Sequence, residues 1–405
     1  MNWIKKLLVL SFLMIPFYGI SQIDIRFYFN FQPDSMYYLC KYRGAKPIII
    51  DTLRLDKWNK FSMVKKYDKN TKLPEGIYLL TNEQHYPIIE FLVAKNQKFS
   101  LFIEDLEDLN SVKVRGRAKE TKLYFKLMAK VRETEANIAA LESETGYYPE
   151  NLRKIDSLKK DLDNFGNSLI IRRKDSFINL VINSLKRHGM YDYWDDFPLY
   201  DARILTYPLI DNKLETYFNA LSPESKLIND EIDKLIAKTG NCVEVRDYLI
   251  WYFYRKFYSP KFMNLDDVYI HLINEYFMKL EMKNVTKSVL ELMAERAKYL
   301  ENLKLGAKLP EIGNLYSVDA SYIAVIFYDK TCQKCAQEGR ILEDIRTRHP
   351  EMVIFPVEVH SGMMENMISF YDIQTTPMIY LLDNQKKIIA KRIKAGQVEQ
   401  YLNMD

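Results

Sequence analysis

The sequence predicts a chain of mixed class in three parts: a β-rich sandwich or barrel, an α-helical domain, and a C-terminal α/β domain. Three observations predict it. Short runs of alternating apolar residues recur between residues 23 and 103, the period of half-buried strands. From residue 118 to about residue 302 apolar residues return every three or four positions, the period of amphipathic helices. Beyond Gly306 and Pro310 the order becomes strand, helix, strand, helix, strand, strand, helix, which is α/β organisation. At 405 residues the chain also exceeds one ordinary core, because single cores stop growing at roughly 250–300 residues. The expected divisions are a leader at 1–21, a β-rich domain at 22–117, a helical domain at 118–305 and the α/β domain at 306–405.

The leader is read from its charge and length. Lys5 and Lys6 precede an apolar run from Leu7 to Ile20, interrupted by Ser11, Pro16 and Gly19. A basic segment ahead of a short apolar one is the pattern of a secretory signal peptide. Gly19 and Ser21 stand at positions −3 and −1 for cleavage before Gln22. The run is shorter than the ~20 residues that span a bilayer, and no cysteine follows it to carry a lipid anchor. The expectation is cleavage and export to the periplasm or cell envelope as a soluble protein.

Composition narrows the rest. Hydrophobic residues at 48% and charged residues at 28% are a globular mixture, not a disordered one. The 58 basic and 54 acidic residues are interspersed, leaving a formal charge of +4. With no basic block to track a phosphate backbone, nucleic acid is not an expected partner.

In the β-rich part the expected strands are Ile23–Phe29, Met36–Cys40, Ile48–Ile50, Gly76–Leu80, Ile88–Val93 and Phe99–Ile103. Their spacing suggests a small antiparallel sandwich or barrel. In the helical part Leu152, Ile155, Leu158, Leu162 and Phe165 share one face. The stretches 227–236, 243–258, 268–280 and 289–303 repeat the pattern, punctuated by Pro198, Pro208 and Pro223. The aromatic group from Tyr248 to Tyr258 is read as a helix packing its rings into a core rather than as a ligand platform. In the last part Ile323–Tyr328 reads as a buried strand and Cys332–His349 as a helix stopped by Pro350. Met352–Val359 is the next strand and Met363–Tyr371 the next helix. A hairpin around Asp383 and Asn384 joins Met378–Leu382 to Lys387–Ile393, and Val398–Met404 closes with a helix.

The chemistry lies in the cysteines. There are four, Cys40, Cys242, Cys332 and Cys335, too few in so long a chain to be a disulfide framework. Cys40 and Cys242 sit in strand and helix patterns and read as buried small residues. Cys332-Gln333-Lys334-Cys335 sits where strand gives way to helix. The first thiol there meets the unpaired N–H groups and positive dipole of a helix N-terminus, which lower its pKa. The second lies one turn on, within reach of the first, and Lys330 and Lys334 are expected to add positive charge. A nucleophilic thiolate with a resolving thiol is the minimum apparatus for thiol–disulfide exchange.

Phe327-Tyr328-Asp329-Lys330-Thr331-Cys332-Gln333-Lys334-Cys335 resembles the strand-to-active-site segment of the thioredoxin-fold thiol–disulfide oxidoreductases. Thr375-Thr376-Pro377-Met378-Ile379-Tyr380 resembles that family's loop before a strand, and Pro377 follows Cys335 by 42 positions, a separation typical of the family. The resemblance covers about Gly306 to Asp405 and implies a thioredoxin fold there. It implies catalytic Cys332 and Cys335, a cis Thr376–Pro377 bond facing them, and substrate binding along Thr376 and Pro377. The parts upstream resemble the β-rich and helical domains often fused ahead of thioredoxin domains in exported proteins. Two positions depart from the family. Thr331 stands where Trp is frequent, and Ile326, six residues before Cys332, replaces the buried Asp that serves as proton acceptor. Glu358 on the neighbouring strand is the candidate substitute.

Other chemistries find no pattern. His85, His188, His271, His349 and His360 are scattered without H-E-x-x-H spacing, and no second C-x-x-C is present to complete a zinc site. Neither a Walker A loop nor G-x-G-x-x-G occurs, and no cofactor or metal is expected. The function favoured is disulfide exchange with thiol- or disulfide-bearing envelope proteins, served by an upstream redox donor or acceptor. The alternative is an interaction or binding protein of the envelope that keeps the thioredoxin fold as a scaffold.

Overall fold

The structure, a computed structural model, describes residues 23–402 apart from 32, 56–60, 68–72, 96, 107, 144–148, 284 and 360–368. The leader, His360 and most of the helix expected at Met363–Tyr371 lie outside the described residues. The chain divides into two compact units, Met1–Asn219 and Ala220–Asp405. The segment 118–305, expected as one helical domain, is shared between them.

Among the described residues the first unit is built on eight strands. They are β1 (Ile23–Phe29), β2 (Met36–Arg43), β3 (Lys46–Arg54), β4 (Ser62–Tyr67), β5 (Gly76–Thr81), β6 (Pro87–Val93), β7 (Lys98–Ile103) and β8 (Lys113–Arg117). They form two four-stranded sheets, β4-β1-β7-β8 and β3-β2-β5-β6. The inner faces share one core, with Ile25, Phe27 and Leu101 from the first sheet and Leu39, Leu80 and Phe91 from the second. In β1 the alternation is complete: Ile23, Ile25, Phe27 and Phe29 are buried while Asp24, Arg26 and Tyr28 face outward.

The sandwich is not wholly antiparallel as expected. β1 and β7 run parallel, with Ile25 opposite Phe99 and Phe27 opposite Leu101. Parallel neighbours need a long crossover, and β2 to β6 supply it while building most of the two sheets. Both β4 and β8 lie beyond the expected strands. They are edge strands, and Lys66, Lys113, Arg115 and Arg117 leave their outer residues charged, which blurs the alternation.

Helices α1 (Lys119–Ser143), α2 (Pro149–Leu169), α3 (Phe177–Leu185) and α4 (Leu209–Ala220) follow. The first packs on β6, where the Tyr124 hydroxyl donates to Glu90. Its buried set includes Glu120, Thr121 and Thr134 beside Tyr124, Leu127 and Val131, so its apolar period is weak.

The second unit begins with α5 (Ser225–Ala237), α6 (Val243–Phe257), α7 (Asp266–Leu272) and α8 (Lys287–Asn302), a π-helical turn at Ile273–Phe277 following α7. The aromatic helix α6 buries Val245, Leu249, Ile250, Phe253 and Phe257. Its Trp251 ring meets Phe277 edge-on at 5.1 Å; Phe253 and Phe257 are core, while Trp251, Tyr252 and Tyr254 are half-buried and Tyr258 is exposed.

Then come β9 (Tyr322–Tyr328), α9 (Gln333–Arg348), β10 (Met352–Glu358), β11 (Met378–Asp383), β12 (Ile388–Lys391) and α10 (Ala395–Leu402). The sheet order is β10-β9-β11-β12, with β10 parallel to β9 and β11 antiparallel to both of its neighbours. The apolar run of β9 is explained by burial on two faces. Ile323, Val325 and Phe327 enter one core with Leu303, Leu309 and Leu315. Ala324 and Ile326 enter the other, against Leu342 and Ile345 of α9.

Candidate active site

The site forms where β9 ends. The Asp329 carboxylate accepts from the Thr331 backbone N–H at 2.6 Å and from its hydroxyl at 2.6 Å, a local turn that competes with further strand. The Cys332 N–H donates to the Asp329 carbonyl at 3.2 Å. Cys332 is thereby delivered as the N-cap of α9, where its Sγ accepts from the Cys335 N–H at 3.1 Å. Sulfur here fills the place of an oxygen cap. One turn on, Cys335 faces inward and is 4% exposed.

The two thiols are unlike. Cys332 is held below the ordinary thiol range, first by the Cys335 thiol and then by the backbone N–H groups of Cys335 and Lys334. Burial pushes the Cys335 thiol up, and its partner Cys332 adds to the rise. Both are free thiols, as are Cys40 and Cys242. Of the two lysines expected to add charge beside Cys332, Lys330 is directed elsewhere. Lys330 Nζ pairs with Glu358 at 2.7 Å, so its nearest opposite charge is a carboxylate rather than the thiolate. Glu358, the candidate proton acceptor, is held in that pair on β10.

The Thr376–Pro377 bond is cis, as the resemblance implies. The Cys332 thiol lies 3.9 Å from the Thr376 carbonyl oxygen. So Cys332, Cys335, Thr376 and Pro377, distant in sequence, are gathered at one end of the sheet. On the side of Cys335 a groove of about 650 Å³ runs between α9 and β10. Ile326, Ile354 and Pro356 give it apolar walls, and Arg340, Glu343 and Asp344 a charged side. Ile326 lines that groove with Cys335, in the place from which a carboxylate would serve the resolving thiol.

A four-stranded sheet with one parallel strand pair, a helix launched from the first strand by a Cys-x-x-Cys cap, and a cis-proline loop beside that cap together decide the fold. The C-terminal sheet and its helices are thioredoxin-like. No protein-family model matches the chain, and no curated protein does. Among solved structures, a thioredoxin-like protein from Bacteroides caccae is 16% identical over 57% of this chain and 95% of its own, with a TM-score of 0.43. A domain of a possible thiol-disulfide isomerase from Cytophaga hutchinsonii is 27% identical over 25% of this chain and 91% of its own, with a TM-score of 0.23. The thioredoxin domain of a thiol-disulfide oxidoreductase from Bacteroides vulgatus is 19% identical over 25% of this chain and 99% of its own, with a TM-score of 0.22.

Sequence reasoning missed one group near the thioredoxin-like site. Asp372, four residues before Thr376, is buried against Arg296 and Arg392. Gln374, two residues on, donates to it at 3.3 Å, but its charged partners lie 76 and 20 positions away, and nothing in a single sequence pairs them. The one local signal is an acid in an otherwise apolar approach, Tyr371-Asp372-Ile373. Elsewhere Cys40 is buried in β2 as expected, while Cys242 is half-buried just ahead of α6. Among the described residues no cluster of three His, Cys, Asp or Glu is placed to hold a metal. No described helix is long and apolar enough to cross a membrane.

Proposed function

We propose that this protein exchanges disulfides with other envelope proteins through Cys332 and Cys335. The asymmetry of the two thiols carries the reading: one sits capped, depressed and at the surface end of α9, the other buried and raised one turn below. In the reducing direction the Cys332 thiolate attacks one sulfur of a substrate disulfide. A mixed disulfide forms and the other substrate sulfur leaves as thiolate. Cys335 then loses its proton and attacks Cys332 Sγ. The Cys332–Cys335 bond forms, the second substrate thiolate leaves, and two electrons have passed to the substrate. The oxidising direction is the reverse, and an upstream donor or acceptor restores the starting pair. Thr376 and Pro377 form the edge along which a substrate strand would lie.

The export pattern at 1–21 supports an envelope location and, with it, substrates in a compartment where disulfides persist. The test is Cys335→Ala, which leaves the mixed disulfide through Cys332 unresolved. It should hold partner proteins covalently, and Cys332→Ala/Cys335→Ala should hold none, with Cys40 and Cys242 replaced in both. Equal capture by the two folded variants would sink the exchange reading. The chain would then be read as an envelope interaction protein that keeps the fold as a scaffold.

A further inference from the structure

We propose that Asp372, clamped by Arg296 and Arg392, is a positioning residue for the Thr376–Pro377 loop, so that helix α8 helps set the substrate edge of the thioredoxin-like site. The proposal rests on the exchange reading above and adds to it a role for helices upstream of the thioredoxin-like part.

The arrangement is a chain of five charges inside the second unit. Arg296 Nε donates to Asp372 Oδ1 at 2.8 Å, with side-chain exposures of 13% and 4%. Its second nitrogen donates to the Tyr258 carbonyl at 2.8 Å. The guanidinium lies over the rings of Tyr258 and Tyr269, 4.0 and 4.5 Å from their centroids. On the other side Arg392 reaches Asp372 Oδ2 at 3.3 Å and Asp266 Oδ1 at 2.6 Å. Asp266 also pairs with Lys391, whose ammonium is buried and donates to the Leu303 carbonyl. Two carboxylates are thus shared among three cations, with little exposure to water. Such a network is held together tightly, because losing one member strands the others.

Its position gives the network a function. Asp372 is the last buried charge before the exposed turn residues Gln374 and Thr375. Tyr371 is fixed separately, its hydroxyl donating to the Glu311 carbonyl at 2.8 Å and its own carbonyl accepting from Tyr380 at 2.7 Å. From these two pins the chain runs four residues to Thr376, whose carbonyl faces Cys332. Asp372 and Arg392 also have positive φ, 50° and 56°, a region that residues other than glycine seldom enter. Two left-handed residues facing each other across an ion pair are held there by their surroundings, and conformations of this kind gather at functional sites. Arg296 belongs to α8, and its planar fork grips a carboxylate as a lysine cannot.

The experiment uses the full chain with Arg296→Met, Arg296→Lys and Asp372→Asn. Three quantities are read: KM and kcat for insulin as a protein disulfide, the rate with a small aromatic disulfide, and amide hydrogen exchange across residues 371–380. Arg296→Met should raise KM for insulin about tenfold, equivalent to about 1.4 kcal/mol of lost positioning. It should leave the small-disulfide rate near the native value, because that substrate needs no strand edge. The loop amides should exchange faster, and Arg296→Lys should recover part of both effects. Native KM together with native loop exchange overturns the proposal. So does a parallel fall with both substrates, which marks a general loss of structure. If Arg296→Met does not fold, Arg296→Lys and Asp372→Asn are judged by the same outcomes. A wild-type chain inactive on both disulfides sinks the exchange reading alone, and loop exchange in the variants still decides the anchoring.

Discussion

Placing a carboxyl under Cys335 by Ile326→Asp should cost the fold several kcal/mol and speed the second half of exchange. Ile326 is 4% exposed and packs among Leu342 and Ile345. Losing a buried isoleucine forfeits about 1.5–3 kcal/mol. A neutral carboxyl buried without a partner costs about 1–3 kcal/mol more. A total loss of about 2.5–6 kcal/mol falls within the ~5–15 kcal/mol of a typical domain except at its low end, so the variant is expected to remain mostly folded. The gain is a proton acceptor for a thiol that burial holds high. Positioned bases contribute roughly 10²–10⁴ in rate, and the lower end is expected because the same apolar wall keeps the new carboxyl protonated to higher pH. The assay loads Cys332 with thionitrobenzoate and follows its release by absorbance as Cys335 attacks. Release should quicken about a hundredfold and acquire a new step in its pH profile. A folded variant that releases at the native rate would refute the reasoning, since deprotonation of Cys335 would then not limit the step.

Two further outcomes are expected. Burial raises the Glu90 carboxyl, so the folded chain keeps a proton that the unfolded chain has lost. Stability should therefore fall as pH rises from the ordinary carboxylate range through the raised value, by about 1.4 kcal/mol for each tenfold gain in the carboxyl's proton affinity on folding. Glu90→Gln should flatten that slope in urea unfolding at several pH values, and a slope that persists would refute the assignment. Because the Cys335 thiol comes first among the groups that depress Cys332, Cys335→Ala should raise the midpoint of Cys332 alkylation. Lys330→Met should leave the midpoint in place, its ammonium being engaged by Glu358; the opposite ranking would restore the lysine as the cause.

How much was legible depended on whether a signal was local. β1 alternates without a fault, and β9 is apolar throughout because both faces are covered, so each was readable from its own residues. The Cys-x-x-Cys cap and the Thr-Pro pair were readable because their spacing carries the chemistry. β8 was not, since Lys113, Arg115, Gly116 and Arg117 leave Val114 as its one apolar side chain. Pairing direction was also hidden: nothing in β1 says that it will lie parallel to β7. The Lys330 charge misled because its ion pair is with Glu358, a partner that the sequence around Cys332 does not reveal. The anchor of the Pro377 loop escaped for the same reason, its partners Arg296 and Arg392 standing on either side of it at long range.

The parallel partnership of β1 and β7 sets a timetable for the growing chain. A ribosome delivers β1 ahead of its neighbour β7, which arrives only after β2 to β6 have been made. The antiparallel set β2, β3, β5 and β6 can assemble as it emerges, each strand meeting one close by in sequence, whereas contacts between distant segments form late. Through that interval β1 has only β4 beside it, and Ile23, Ile25, Phe27 and Phe29 lack the shelter that β7 later gives. β1, made well before its partner β7, is thus among the last of these strands to be enclosed, and a nascent chain cut short before Ile103 would carry an unfinished sheet edge, the kind of surface that invites aggregation.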